Sequence, residues 1–405
     1  MLDCHIEVES LMSESEKKRL LFVMDSLSAA GGEKSLVTLL SLIDYDRYDV
    51  SLQLFNYGGE FERFLPSCVR ILSPFRFIQQ LNSGKLSLRL LLSKALYSIQ
   101  CQKKGLKLKT KARYYWRRFS SYVPETEEYD VAIAYSQCLP TYYVVDKVKA
   151  KKKIGWVNCI FHLSGYEKTF NEEYYRRLDS IVLVSEAARQ HLEGVYPAFS
   201  DKMSVYPDIV DPDFIRRLSE ESVTNELFKS GEGHMRLITV ARLDRDDKGY
   251  DITLETCRIL KERGVDFRWY AIGRGPYRGE IERFLKENQL DGHFFLLGTT
   301  PNPYNYMRQS DIYVQTSRHE GYGLSIAEAR ILNLPVVTTD YDSVYNQMVP
   351  GKNGLVVKQD PEAVADAIIE LINHRELYHA IVAYQQKEKK GNPEAIEGFY
   401  ALLKE

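Results

Sequence analysis

The chain has 405 residues, of which 44% are hydrophobic, 27% are charged and 12% are aromatic, and its formal net charge is −2. This composition is typical of a globular protein and excludes a disordered chain, a collagen-like fibre and a coiled coil. At roughly 100–200 residues per domain, the length predicts two or three domains.

The first half of the chain alternates predicted strands with predicted helices. The apolar run at residues 20–24 is typical of a buried parallel strand, and the leucines from residue 36 onward recur at helical spacing. Ser185 is expected to cap a helix over residues 186–193. Further strands are predicted at residues 50–55, 130–135, 153–157, 181–184 and 203–206.

A basic segment interrupts this alternation. Residues 63–124 contain 14 Lys and Arg and no Asp or Glu, although the net charge of the whole chain is close to zero. Within residues 85–119, leucines and aromatic residues alternate with the cations, a pattern that suits an anionic membrane surface. The alternative interpretation is a solvated basic face on helices whose apolar side packs inward. No nucleic-acid-binding motif accompanies the charge, so we expect no nucleic-acid partner.

A proline-containing acidic stretch at residues 206–214 is the best candidate for a linker between domains. Strand–helix alternation then restarts, with strands predicted at residues 236–241, 267–272, 294–297, 312–315 and 335–339. Helices are predicted at residues 250–263 and 280–288 and from residues 324 and 361. Two successive arrays predict two doubly wound α/β domains that face a central cleft, where ligands of such folds collect.

The expected organisation has four parts. Residues 1–18 form a mobile leader, and residues 19–208 form an N-terminal domain that includes the basic segment at 63–124. Residues 209–384 form a C-terminal domain, and residues 385–405 form a helix that returns to the N-terminal domain. No uninterrupted run of about 18 apolar residues occurs, so we expect no membrane-spanning helix. The acidic N-terminus differs from a secretory signal, and six scattered cysteines predict reduced thiols in a cytoplasmic protein.

The densest motif is the sequence SRHEGYGLSIAEA, which follows the strand predicted at residues 312–315. Its glycines place free amides of Gly323, Leu324 and Ser325 at a helix start, which is an anion site. Glu320 precedes this helix and Glu328 lies about one turn into it. Two carboxylates on either side of an anion site match the shape of a nucleotide sugar. The alternative is a strand–loop–helix unit with two surface glutamates.

A second motif, VARLDRDDKGY, follows the strand predicted at residues 236–241. Arg242 and Lys248 bracket the loop, and both cations could meet a diphosphate. The alternative is a pair of solvated cations that neighbouring aspartates neutralise. An Asp-x-Asp pair at Asp244 and Asp246 would fit a metal-dependent transferase, but two cations beside it make a magnesium ion redundant.

The order of these motifs resembles the retaining glycosyltransferases of family 4, which have the GT-B fold. The resemblance is strongest over residues 236–340 and extends to Gly31-Gly32 after the first strand and to Gly273 after a later strand. It implies a retaining, metal-independent hexosyltransferase without a cofactor, of the kind that builds capsular, exopolysaccharide or cell-wall glycans. A UDP-sugar is the favoured donor and a glycan or lipid-linked glycan the acceptor, at the cytoplasmic face of a membrane.

The resemblance also assigns roles to individual residues. Catalytic roles fall to Glu320, which would contact the transferred sugar, and to Arg242 and Lys248, which would stabilise the departing nucleotide. The donor would also contact a set of glycines and helix residues, with Glu328 on the ribose: Gly31, Gly32, Gly273, Gly323, Leu324, Ser325 and Glu328.

One departure from the family pattern and two alternative functions remain open. Asn158 stands where many relatives place a histidine on the acceptor side, and His162 is a candidate substitute. A non-catalytic GT-B subunit that stabilises a second transferase is one alternative function. The other is a nucleotide-sugar epimerase of similar architecture, which would consume the donor without an acceptor.

Overall fold

A computed structural model describes residues 17–28, 31–103, 108–158, 168–228 and 233–404. Within these ranges, the chain forms two wholly parallel β-sheets. The first sheet has seven strands: β1 (Lys18–Met24), β2 (Tyr48–Leu54), β3 (Arg70–Ile71), β4 (Glu128–Ala134), β5 (Lys149–Val157), β6 (Ser180–Leu183) and β7 (Met203–Val205). The second has six: β8 (Met235–Val240), β9 (Phe267–Ile272), β10 (Phe294–Gly298), β11 (Ile312–Gln315), β12 (Val336–Thr339) and β13 (Gly354–Val357).

Helices connect the strands and cover both sheets. Those up to the second sheet are α1 (Gly31–Leu42), α2 (Arg76–Ser83), α3 (Leu88–Lys103), α4 (Leu108–Phe119), α5 (Leu139–Lys147), α6 (Lys168–Arg176), α7 (Glu186–Val195) and α8 (Pro212–Ser219). Those that follow are α9 (Tyr250–Glu262), α10 (Arg278–Glu287), α11 (Tyr304–Arg308), α12 (Leu324–Ile331), α13 (Pro361–Asn373), α14 (Arg375–Lys387) and α15 (Ile396–Leu402). The prediction of two doubly wound α/β domains is confirmed.

Both sheets reverse their strand order at a central pair. The orders are β3-β2-β1-β4-β5-β6-β7 and β10-β9-β8-β11-β12-β13. The reversal therefore lies between β1 and β4 in the first sheet and between β8 and β11 in the second. The carboxyl ends of such strands border the crevice in which doubly wound sheets bind ligands.

Strand β1 illustrates why these segments are strands. Its residues from Leu20 to Val23 have no solvent exposure. Leu20 and Phe22 belong to the core on one face of the sheet, whereas Leu21 and Val23 belong to the core on the other. A parallel sheet that is covered on both faces buries every side chain of a central strand, so the sequence is continuously apolar.

The last part of the chain differs from the single helix expected over residues 385–405. Helix α14 ends at Lys387, and the separate helix α15 packs on the first sheet. Phe399 stacks on Phe22 of β1 with 5.9 Å between ring centroids. The hydroxyl of Tyr400 accepts a hydrogen bond of 2.8 Å from the amide of Asp44. The C-terminus therefore covers the N-terminal domain.

Two stretches of chain cross between the domains side by side. The outgoing stretch includes Val210, whose amide donates to the side chain of Asn392 at 2.8 Å. Asn392 on the returning stretch donates its own amide to the carbonyl of Val210 at 3.1 Å and its side chain to the carbonyl of Asp208 at 3.2 Å. Gly391 has φ +66, and a Cβ there would lie 2.4 Å from the Val210 carbonyl oxygen. The two crossings are therefore bonded to each other.

The basic segment forms α2, α3 and α4 at the edge of the first domain. Its inward side chains join the aromatic core, where Phe77 stacks on Phe119 with 5.9 Å between centroids. The indole of Trp116 donates to Asp146 at 2.8 Å. Across the described residues, no helix combines the length and the apolar character needed to cross a bilayer.

Candidate active site

A cavity of about 580 Å³ lies between the two sheets and is lined from both sides. The first domain contributes Gly31, Gly32 and Asn158 from the sequence-predicted set, and the second contributes Arg242, Lys248, Gly273, Glu320, Gly323, Leu324 and Ser325. Glu328 does not line this cavity but a small adjoining pocket that shares Leu324 with it, and His162 lies outside the described residues. The structure thus brings together side chains that the sequence separates by up to about 290 positions.

Glu320 is the most heavily bonded carboxylate of the cavity. Both of its oxygens lie 2.6 Å from the ammonium of Lys248. One oxygen also accepts hydrogen bonds from Gln315 at 2.9 Å and from Ser317 at 2.7 Å. The two side chains of the ion pair are 19% and 11% exposed, so most of the pair is shielded from water. These contacts hold Lys248 and Glu320 in one orientation at the cavity surface.

A close backbone approach sets the position of Lys248. Gly249 has φ +62, and a Cβ at this position would lie 2.0 Å from the carbonyl oxygen of Thr316 at the end of β11. The hydroxyl of Thr316 in turn donates to the carbonyls of Lys248 and Gly249 at 3.1 and 3.0 Å. Glycine is therefore required where the loop after β8 meets the strand that leads to Glu320.

Arg242 lies at the mouth of the cavity and is 53% exposed. Its guanidinium contacts Asp247 at 2.6 Å and Asp244 at 3.7 Å, as the alternative interpretation of this motif anticipated. A guanidinium has five N–H donors, so these contacts leave donors for a ligand. The backbone carbonyl of Asp247 accepts a hydrogen bond of 2.8 Å from the amide of Arg318. This bond links the loop after β8 to the loop that carries Glu320.

The N-terminus of α12 faces the cavity. Gly323 precedes the helix with φ +82, a conformation that glycine adopts readily. The first amides of a helix have no acceptor within the helix and carry the positive end of its dipole. The hydroxyl of Ser325 donates to the carbonyl of Val240 at 3.0 Å, so Ser325 offers a ligand its amide and uses its side chain to hold the helix against β8.

Glu328 is buried, with 1% exposure, and its partners come from both domains. One oxygen accepts from Lys34 of α1 at 2.6 Å and from the hydroxyl of Tyr304 at 3.2 Å. Burial raises the pKa of Tyr304 well above its usual range, so that hydroxyl stays protonated and donates. The other oxygen of Glu328 has no hydrogen-bond partner within the described structure. Glu328, which is expected to bind the ribose, is therefore held by Lys34 of the first domain.

Glycines allow close approaches at the cavity surface, both between the two domains and within each of them. A Cβ on Gly31 would lie 3.5 Å from Leu324 of the opposite domain, and one on Gly32 would lie 3.1 Å from the side chain of Asn158. Gly273 has φ +155, and a Cβ there would lie 1.9 Å from the carbonyl oxygen of Ala241. Gly273 therefore allows the ends of β8 and β9 to touch beneath the cavity.

Two carboxyl groups of the first domain have raised pKa values: Asp25, which no sequence motif indicated, and Glu33, which follows the glycine pair but has no role assigned by the resemblance. Burial raises the pKa of Asp25, at the carboxyl end of β1, to about 7, and a weak hydrogen bond from Ser136 opposes the shift. Burial likewise raises the pKa of Glu33 in α1 to about 7. The position of Asp25 directly after a buried strand is the signal that could have identified it.

Metal coordination has little support in this geometry. Across the part of the chain that the structure describes, no group of three His, Cys, Asp or Glu side chains is placed to hold a metal ion. Asp244 instead accepts the amide of Asp247 at 2.8 Å and lies near Arg242. Metal independence nevertheless stays a prediction.

Comparisons with known proteins agree with this geometry. Residues 224–388 match the family described as "Glycosyl transferases group 1". The chain is 28% identical over 272 residues to a putative colanic acid biosynthesis glycosyltransferase, WcaL, of Salmonella typhimurium, covering 62% of this chain and 64% of the relative. It is 23% identical over 167 residues to an uncharacterized glycosyltransferase of Methanocaldococcus jannaschii, covering 41% of each. The chain therefore spans less than two thirds of either relative.

The fold has close counterparts among solved structures. Anabaena HepE in complex with UDP-glucose superposes with a TM-score of 0.66 at 14% identity, covering 95% of this chain and 98% of HepE. At this identity the likeness concerns the fold. Residues 224–388 therefore match the group 1 glycosyl transferase family, and the chain as a whole has the GT-B fold.

Proposed function

We propose that the protein is a retaining, metal-independent glycosyltransferase that moves a sugar from a UDP-sugar to a glycan or lipid-linked glycan acceptor. The observation that carries the proposal is the arrangement at one wall of the cavity. Lys248, held by Glu320, and the exposed Arg242 border the same cavity as the N-terminus of α12. Two cations and a helix terminus together match the charge of a departing nucleoside diphosphate.

The proposed chemistry assigns one role to each group. An ammonium has three N–H donors, so Lys248 can keep both contacts with Glu320 and direct the third at a phosphate oxygen. The amides of Leu324 and Ser325 bind the second phosphate, and Glu320 contacts the transferred sugar. The nucleotide departs from the face on which the acceptor hydroxyl attacks, and the leaving phosphate takes the hydroxyl proton.

Two considerations support a uridine nucleotide and a polysaccharide acceptor. The solved structures that share the fold include HepE with UDP-glucose and Staphylococcus aureus TarM with UDP. The relative WcaL is named for colanic acid biosynthesis.

Scattered cysteines favour a cytoplasmic location, and the basic segment favours contact with an anionic membrane surface.

Nucleotide binding gives the first test. Thermal unfolding of the full chain is followed with UDP, GDP, ADP or CMP, always in the presence of EDTA. A ligand at 100 times its dissociation constant adds about 2.7 kcal/mol to the free energy of unfolding. Selective stabilisation by UDP supports the proposal, and Lys248→Met is expected to abolish it. Stabilisation that appears only when Mg²⁺ replaces EDTA would refute metal independence.

Turnover separates the proposal from its alternatives. A transferase consumes a UDP-sugar faster when a glycan acceptor is added, and NMR of the product gives the anomeric configuration. Retention supports the proposal and inversion overturns it. An epimerase would convert the donor without an acceptor, and a non-catalytic subunit would bind nucleotide without consuming any donor.

A further inference from the structure

Helix α3 carries apolar residues on two opposite sides. Its inward side includes Leu90, which is fully buried, and Tyr97, which packs on the core of the first domain. Its outward side carries five large apolar residues that are between 47% and 75% exposed. These outward residues are Leu88, Leu91, Leu92, Leu96 and Ile99. At about 100° per residue they fall within an arc of about 140° that lies opposite Leu90 and Tyr97. We call this arc the outer stripe of α3.

The concentration of these residues is unusual for this molecule. Within the described residues, the other large apolar side chains that are exposed lie outside α3, and no other helix carries more than one of them: Ile71, Val205, Leu227, Tyr345 and Val349. Single exposed apolar residues need no explanation, whereas a contiguous apolar face marks a binding surface. The outer stripe is absent from the hydrophobic core of the first domain, and none of its residues lines the cavity.

The charges around the outer stripe identify its partner. Arg89 and Lys94 are exposed and flank the arc on its two sides, about 20° and 60° beyond its ends, and Lys85 precedes the helix. The surrounding residues 63–124 contain no acidic side chain among their 14 Lys and Arg. Pairing with a second copy of this chain would bring two such cationic segments together, which like-charge repulsion opposes. Nucleic acid would leave the apolar stripe without a complement.

We infer that the outer stripe of α3 inserts into the headgroup and acyl boundary of an anionic lipid bilayer, with α3 parallel to the membrane plane. The flanking cations then meet lipid phosphates and carboxylates, and the leucines leave water. The surface is separate from the cavity, so membrane binding and nucleotide binding can succeed or fail independently.

Vesicle flotation of the full chain tests the inference. Vesicles of phosphatidylcholine with phosphatidylserine are expected to carry the protein, and phosphatidylcholine alone is expected to leave it in solution. High salt should release it, since the cations act through screened attraction. Each cation near an anionic surface contributes about fivefold to the partition coefficient, so R89Q/K94Q should bind about 25-fold more weakly.

A matched pair of triple variants isolates the stripe. We expect L91S/L92S/L96S to lose at least tenfold in binding, because three leucines no longer leave water. The control L227S/Y345S/V349S removes three exposed apolar side chains elsewhere and should bind like the wild type. Both variants should retain the UDP response of the parent, which shows that the fold is intact.

Two outcomes overturn the inference. The first is that phosphatidylserine vesicles do not carry the wild type, or carry L91S/L92S/L96S equally well. The second is a concentration-dependent dimer in light scattering that the same triple substitution dissociates, which would assign the stripe to a second copy of the chain. Failure of UDP to bind the wild type would contradict the proposed function and leave the flotation result valid.

Discussion

The ion pair between Lys248 and Glu320 should make a measurable contribution to the stability of the second domain. Replacement of Lys248 by Met removes the cation and keeps most of the aliphatic stem. Glu320, which is 11% exposed, then retains only the neutral donors Gln315 and Ser317. The perturbation therefore leaves a largely shielded carboxylate without its counter-charge.

The magnitude follows from the burial of the pair. Removing one partner of a fully buried ion pair costs about 3–5 kcal/mol. Residual water contact and the two remaining hydrogen bonds reduce the cost of Lys248→Met to about 2–3 kcal/mol. Glu320→Gln in the same chain removes the unpaired charge, so the double variant should lie within about 1 kcal/mol of the wild type.

Urea denaturation measures these free energies in the relevant domain. Trp269 lies in the second sheet and donates to Thr239 at 2.9 Å. The fluorescence emission of Trp269, in a background where Trp116 and Trp156 are replaced by Phe, reports on unfolding of that domain.

The matched control is Arg278→Met. Its partner carboxylate is 2.7 Å away in the same domain, but both side chains of that pair are 53% exposed, so the loss should be below about 0.5 kcal/mol.

Equal losses of stability for Lys248→Met and Arg278→Met would contradict this prediction. If Lys248→Met and Arg278→Met unfold at the same urea concentration with the same slope, the pair at the cavity is as solvated as a surface pair. A double variant that sums the two single losses would likewise show that Lys248 and Glu320 do not act together.

Three further predictions concern other parts of the site. Lys34→Met should weaken UDP binding at least tenfold in calorimetry, because the buried Glu328 loses its cation. The double variant Lys34→Met/Glu328→Gln should recover thermal stability but not UDP affinity. An unchanged affinity in the single variant would contradict this prediction. Gly275→Ala should lower the free energy of unfolding in urea by at least about 2 kcal/mol, because a Cβ at this position would lie 2.1 Å from the carbonyl oxygen of Leu243. The control Gly279→Ala should be neutral or stabilising, because a Cβ there would meet nothing within 4 Å. Burial raises the pKa of Asp25 from its ordinary value of 3.8 to about 7, so its ionisation destabilises the folded state progressively as pH rises between those values. A shift of this size corresponds to about 4 kcal/mol at most, and the partial exposure of Asp25 reduces it, so Asp25→Asn should gain about 2–4 kcal/mol over the wild type at pH 8 and almost nothing at pH 4. A gain that does not depend on pH would be inconsistent with this prediction.

Much of the fold could be predicted because buried parallel strands are continuous apolar runs. The predictions at residues 267–272 and 312–315 match β9 and β11 to the residue. Strands β3 and β13 were missed, since one has two residues and the other is a partly exposed strand of four at a sheet edge. Helix α8 was also missed, although Asp211 caps it and proline occupies its first position, a combination that the sequence does display.

The site could be predicted less completely, for a different physical reason. Motifs identified Lys248 and Glu320 as candidates, but their contact joins positions 72 residues apart and depends on the close approach at Gly249. The contact of Lys34 with Glu328 spans 294 residues and both domains. The pKa of Asp25 depends on the neighbours that exclude water from it, and local sequence carries no record of those neighbours.

The paired crossings between the domains restrict how the cleft can move. One covalent connection allows a domain both to swing and to rotate about the connection, whereas two connections bonded at Val210 and Asn392 favour a single hinge axis. We expect opening and closing to retrace one path, so that Gly31-Gly32 and the start of α12 return to the same separation in each cycle. The C-terminal helix, which anchors the returning stretch to the first domain, is then a component of closure despite its distance from the cavity.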